Sequence, residues 1–284
     1  MTDNTEFKVQ LDDMVKKIKD LPTLPEVAME MLQNLEDEES SLDMVTEKIA
    51  MDHSITAKLL RLANSSYYGN NSKVVTLQQA TAMLGVKNVK NLIRLTTLAN
   101  KFPTANCPAF NFKAFWRHSI ATAVCAEQIS RTLHMKHDFA FTAGLLHDIG
   151  RLVLVTCYPT NYDEVLRYQE RTESHLIDAE RSIMHIDHVD AGLALAIHWN
   201  FSEAVCDAIR GHHQPEQENL NALASVVHIA NVIVHALDLS QDQNDRLPLL
   251  SQAAWDTLGL GEADYLSIFH ETEMRFDSLN QIVL

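Results

Sequence analysis

The stretch Ala143-Gly144-Leu145-Leu146-His147-Asp148-Ile149-Gly150-Arg151-Leu152-Val153-Leu154-Val155 decides the fold. Its last four residues form the one short run that could open a parallel-sheet strand. Its first part is an apolar helical pattern that ends on a His-Asp doublet and a glycine. No companion strand pattern occurs elsewhere. Eight Gly and seven Pro in 284 residues are few, which argues against a turn-rich all-β chain and for long helices with short connections. The chain is therefore read as all-α.

Working outward, a polar start (Met1 to Gln10) leads into a helix near Phe7–Lys19. Pro22 and Pro25 break it, and Pro25 suits the first turn of the next helix. Val27, Met31, Leu32 and Leu35 carry that helix to the acidic run Glu36–Glu39, and another begins at Ser41. Asp52-His53-Ser54 caps a helix through Ile55 to Leu62, and Asn64 to Asn71 is a loop. Thr76 caps a helix that Gly85 stops, and Asn88 to Asn100 forms the next. Lys101 to Cys107, with Pro103 and Pro108, reads as a joint. It separates an N-terminal helical bundle (1–105) from a helical core (106–284). In the core, helices are expected at Phe112–Leu133, from Asp138 to the His147-Asp148 doublet, and near Asn161–Arg171, Ser174–Met184, His188–Trp199, Ser202–Arg210, Asn221–Ala236, Gln252–Leu258 and Glu262–Phe276.

The formal net charge is −15 and the pI about 5.3. A nucleic-acid duplex needs Lys/Arg neutralisation and is a poor partner; an anionic membrane is disfavoured for the same reason. The basic group from Lys87 to Arg94 reads as a solvated helix face, with a small-anion site as the alternative. No stretch reaches the ~20 uninterrupted apolar residues of a membrane span. Cys107, Cys125, Cys157 and Cys206 form no CxxC and read as buried, reduced thiols. A cytoplasmic location is expected.

The chemistry rests on His118, His147, Asp148, His188, His212 and His213, since imidazole and carboxylate are the ligands divalent transition metals take. Adjacent helical residues point about 100° apart. A doublet can reach one ion only where a helix ends, and Gly150 and Gly211 supply such ends. The alternative is a set of buried histidines satisfied by hydrogen bonds alone. The other histidines, among them His53, His134, His137, His175, His185, His198, His228, His235 and His270, read as capping, packing or surface residues. No P-loop, dinucleotide fingerprint, G-x-S-x-G elbow or HExxH is present.

Leu21-Pro22-Thr23-Leu24-Pro25-Glu26, Leu59–Ser65, Ala80 with Leu84-Gly85, Phe115–Ser119, Ala143–Gly150, His188 with Gly192, Trp199-Asn200 and Ile209–His213 together resemble the HDOD group within the HD superfamily of helical phosphohydrolases. The resemblance implies a multi-helical, HD-like core with a helical N-terminal subdomain. It implies a bacterial signal-transduction module related to the HD-GYP domains that hydrolyse cyclic di-GMP, with catalysis lost in most members. By the same resemblance His118, His147, Asp148, His188, His212 and His213 match metal ligands. Arg151 stands where the HD-GYP relatives carry the Lys that follows the HDxG motif, and His147, Asp148 and Arg151 match the catalytic group. The motif's closing Asp falls at Asn231, and no GYP signature follows Ile209. Asn offers a neutral oxygen, so two ions would bring +4 to a site with one formal negative charge, Asp148. Two expectations follow: a non-catalytic regulatory module, or a metal-dependent phosphohydrolase acting on a nucleotide or cyclic dinucleotide phosphodiester. Either could hold one or two divalent ions (Fe, Mn, Zn or Ni), and the first could hold none. The expected partner is another signalling protein or a small nucleotide effector.

Overall fold

Helices make up the structure, a computed structural model that describes residues 11–21, 53–68, 73–102, 105–135 and 137–283. The Pro22–Pro25 segment, the helices expected between Val27 and Ile49, the acidic run and the Asp52 cap lie outside the described residues. Those described contain no strand. Helix α1 is Leu11–Lys19, α2 His53–Ala63, α3 Leu77–Lys101, α4 Phe112–Thr132, α5 His137–Leu146, α6 Ile149–Cys157, α7 Pro159–Thr172, α8 Leu176–Met184, α9 His188–His198, α10 Glu203–Gly211, α11 Ala222–Ala236, α12 Gln252–Leu258 and α13 Glu262–Val283. The Leu152–Val155 run lies inside α6, where all four side chains are buried.

Local chemistry sets the boundaries. Thr76 caps α3 in a reciprocal capping box with Gln79, and Gly85 at φ 75° breaks the helix where the sequence places a stop. Asn111 caps α4, Asp187 caps α9 in a box with Asp190, and Asn221 caps α11. Helix α4 is the central element: 16 of its 21 residues are buried, and α5, α11 and α13 pack on it. The return of α13 also meets α2 and α3. Phe139–Cys157 is apolar and long enough to span a membrane, but it comprises two helices broken at His147-Asp148, and 83% of the stretch is buried in the protein.

Two glycines set the helix spacing. A methyl group on Gly144 would lie 2.8 Å from Ala123 Cα, so α4 and α5 touch backbone to backbone. One on Gly150 would lie 1.8 Å from the His188 carbonyl oxygen and 2.5 Å from the Gly192 amide. Gly150 is thus not a helix stop: it sits in the first turn of α6 and admits α9 at contact distance. The junction that turns the chain is His147-Asp148 itself, with Asp148 at φ −102°, ψ 11°.

The Lys87–Arg94 group is not a solvated face. Lys87 Nζ lies 2.7 Å from Glu127 Oε1, and Arg275 and Arg131 each lie 2.9 Å from the same carboxylate. Arg94 is buried and donates to Asn91 Oδ1 at 2.8 Å. All four cysteines are free, with Cys157 half-buried and the others buried. Burial pushes the Cys125 thiol up to about 12.

Candidate metal centre

Five helices deliver the six side chains singled out in the sequence. His118 comes from the buried face of α4, and His147 and Asp148 from the α5–α6 junction. His188 is the first residue of α9, and His212 and His213 follow α10. All six converge. Asp148 Oδ1 lies 3.6 Å from His147 Nε2, 3.5 Å from His188 Nε2 and 3.4 Å from His212 Nε2. Its Oδ2 lies 4.0 Å from His118 Nε2 and accepts a hydrogen bond from Arg151 at 3.1 Å. His213 Nε2 lies 2.8 Å from His188 Nε2.

The other nitrogen of three of these rings is committed. Nδ1 of His147 meets the Gly144 carbonyl at 2.8 Å, and Nδ1 of His212 the Ile209 carbonyl at 2.8 Å. Nδ1 of His188 meets Glu180 Oε2 at 2.6 Å. A carbonyl or carboxylate can only accept, so each Nδ1 carries the proton. In the neutral rings Nε2 is then a bare lone pair. Burial, only partly offset by Asp148, lowers His147 to about 4 and keeps it neutral near pH 7. Burial and neighbouring imidazoles also hold His118 and His213 well below the ordinary His range.

Lone pairs aimed at a carboxylate oxygen repel it. The arrangement is favourable only with a proton or a cation between the groups. His188 provides one proton in the metal-free protein. Burial alone would lower it, but Glu180 and Asp148 raise it to about 9. Burial would likewise raise Asp148, yet His147, His212, His188 and Arg151 hold it well below the usual carboxylate range. The donor set therefore suits a divalent transition ion. Asp148, His188, His212 and His213 form one group of close ligand atoms, and His118, His147 and Asp148 another, so Asp148 is common to both.

Asn231, where the resemblance expects a carboxylate, is buried on α11, and its Oδ1 has no hydrogen-bond partner among the described residues. Two carboxylates that the sequence reading passed over lie close by. Glu180 is fully buried and, besides His188, accepts from the Tyr162 hydroxyl at 2.8 Å. Asp245 faces His235 Nδ1 at 3.5 Å. The sequence places His235 among the capping, packing or surface residues, but its ring lies 4.7 Å from that of His118, and His118, His235 and Asp245 form a third close group. The signal was available: His235 is four residues from Asn231 and shares its helix face. His228 is structural, as expected, bridging the His212 carbonyl and the Ser251 amide.

A cavity of about 290 Å³ opens onto the cluster. Asp148, His188, His213, Asn231 and His235 line it, together with Arg151, Arg181, Arg210 and Arg246 and with Asp178, Asp242 and Asp245.

The chain belongs to the HDOD domain family, whose family model matches residues 21–215. The match runs across the Lys101–Cys107 segment. Among solved structures, the chain is similar to an HDOD domain protein of unknown function from Geobacter sulfurreducens, at 22% identity and TM-score 0.79, over 96% of this chain and 98% of that one. It is similar to a provisionally assigned phosphohydrolase from Shewanella amazonensis, at 24% identity and TM-score 0.72, over 95% and 98%. A provisionally assigned signal transduction protein from Marinobacter aquaeolei matches at 23% identity and TM-score 0.76, over 99% of this chain and 63% of that one. At these identities the likeness shows the fold. A curated relative, an uncharacterised protein of Treponema pallidum, is 26% identical over 243 residues. The chain spans about half the length of that relative, 46%.

Proposed function

We propose that this chain is a metal-binding signal-transduction module whose HD-type cluster holds one or two divalent transition ions without turning over a phosphodiester. One observation carries the metal half: three imidazole Nε2 atoms whose partner nitrogens are tied to acceptors point at one oxygen of Asp148, at 3.4–3.6 Å. The ligands would be His118, His147, Asp148, His188, His212 and His213. A bound ion of this kind lowers the pKa of coordinated water and polarises phosphoryl oxygens. The chain's own residues set how far that chemistry can proceed. Asn231 offers a neutral oxygen, and Arg151 is engaged with Asp148. The regulatory output passes to another signalling protein, or a small nucleotide effector enters the cavity beside the cluster.

The experiment is a multiple-turnover assay of metal-loaded protein with bis(p-nitrophenyl) phosphate and with a cyclic dinucleotide. The expected rate is that of metal in buffer alone. Metal-dependent hydrolysis that disappears in His147→Ala would overturn the non-catalytic half. It would favour the second reading, a metal-dependent phosphohydrolase in which His147 and Asp148 serve the metal and Arg151 holds a substrate phosphate. That reading draws on the cavity, where Arg151 and Asp148 line one space.

A further inference from the structure

The cluster contains more donors than the six ligands account for. His118 Nδ1, Asn231 Oδ1 and His235 Nδ1 are buried, and none has a hydrogen-bond partner among the described residues. Unpaired buried polar atoms cost about 1–3 kcal/mol each, so three so close together would be favoured by one shared partner. Asn231 and His235 project from one face of α11, one turn apart. His118 faces His235 across the gap, with ring centroids 4.7 Å apart. Asp245 closes the third side, its Oδ2 at 3.5 Å from His235 Nδ1.

Asp245 is held in place. The Ser240 hydroxyl donates to its carboxylate through a short hydrogen bond, and its backbone amide donates to the Asp242 carbonyl at 3.1 Å. The Asp242 amide donates to Ser240 Oγ at 3.1 Å, and Arg117 Nε to the Ser240 carbonyl at 3.1 Å. Arg117 is the neighbour of His118, so the loop that carries Asp245 is fastened to α4 beside the ring its carboxylate approaches.

We infer that His118, His235 and Asp245 form a cation site in which Asp245 supplies the carboxylate that Asn231 lacks. The site would take a divalent ion that accepts two imidazoles and a carboxylate, such as Zn²⁺. The inference rests on the reading that the cluster holds metal, and it relocates the second ion. A neutral imidazole carries one lone pair, so His118 binding here through its unpaired Nδ1 leaves Nε2 protonated and takes it out of the group with His147 and Asp148. The other ion remains with Asp148, His188, His212 and His213.

The test is equilibrium dialysis of the full chain against buffered Zn²⁺, with bound metal counted by mass spectrometry and folding checked by near-UV circular dichroism. Wild type should hold two ions. Asp245→Asn, which keeps an acceptor for Ser240, should weaken one of them by at least about 10-fold, the loss expected even for an outer partner of a metal ligand. His213→Ala should weaken the other. Adding Asn231→Asp to Asp245→Asn should restore the lost ion, because a carboxylate then returns from α11. His235→Gln should repeat the Asp245→Asn result and serves in its place if that variant does not fold. Two ions bound with unchanged affinity in both Asp245→Asn and His235→Gln would overturn the relocation and leave the metal reading standing, as would a single ion unaffected by either. No Zn²⁺ bound by wild type would overturn both.

Discussion

Glu180 accepts two hydrogen bonds from His188, one from its backbone amide at 2.9 Å and one from Nδ1 at 2.6 Å. A fully buried carboxylate thereby fixes the first residue of α9, sets its ring orientation and turns Nε2 toward Asp148. Such a partner raises ligand basicity and orients the ring. The Tyr162 hydroxyl, donating to the other carboxylate oxygen at 2.8 Å, holds Glu180 in turn.

Glu180→Gln should therefore lower metal affinity by about 10–100-fold while leaving the fold intact. Isothermal titration with Zn²⁺ at fixed pH measures this. Unchanged affinity would show that His188 needs no anchor.

The same pair fixes a pH dependence in the metal-free protein. The folded-state pKa of His188, about 9, is raised above the ordinary value near 6.5. Its contribution to stability is thus fully present below about pH 6.5 and is lost as pH rises through about 9. Urea unfolding of chelator-treated protein should show the difference between wild type and Glu180→Gln shrinking over that window. Metal binding must displace the Nε2 proton, so Zn²⁺ affinity should rise over the same window.

Glu127 gives the opposite sign. Burial alone would raise its carboxyl, but Arg275, Lys87 and Arg131 outweigh burial and lower it. Its contribution is present above the ordinary carboxylate value and is lost as pH falls through the folded value. Glu127→Gln leaves three cations around a neutral group and should cost about 3–5 kcal/mol at pH 7. The cost should shrink in acid, and denaturant unfolding at the two pH values checks it.

Gly150→Ala should force α6 and α9 apart, since its methyl group would meet the His188 carbonyl. The expected loss is at least about 1–3 kcal/mol, the range for overpacking. Metal affinity should fall as well, because His188 moves with α9. A variant as stable as wild type, with unchanged Zn²⁺ binding, would show that the backbone contact is not needed.

The sequence carried the all-helical fold, because helical spacing recurs along the chain and signals such as the Thr76 cap and the Gly85 stop punctuate it. It also named the six side chains that converge, but their spacing left open a set of buried histidines satisfied by hydrogen bonds, and it was the HDOD resemblance that implied one shared ligand set. The meaning of Gly150 was hidden: a glycine that ends a helix and one that admits a neighbour look alike until the neighbour is known. Lys87 and Glu127 are forty positions apart in sequence, and nothing local pairs them. Glu180, His235 and Asp245 escaped for the same reason, since each acts through a residue from another helix. Only His235 left a local trace, in its spacing from Asn231.

The most direct test of the central claim is the metal content of protein purified without chelator, measured by inductively coupled plasma mass spectrometry. Because folding has already gathered the ligands, about one equivalent or more of a divalent transition metal is expected. Under about a tenth of an equivalent, persisting after dialysis against micromolar Zn²⁺, Mn²⁺ or Fe²⁺, would contradict a metal centre built on Asp148.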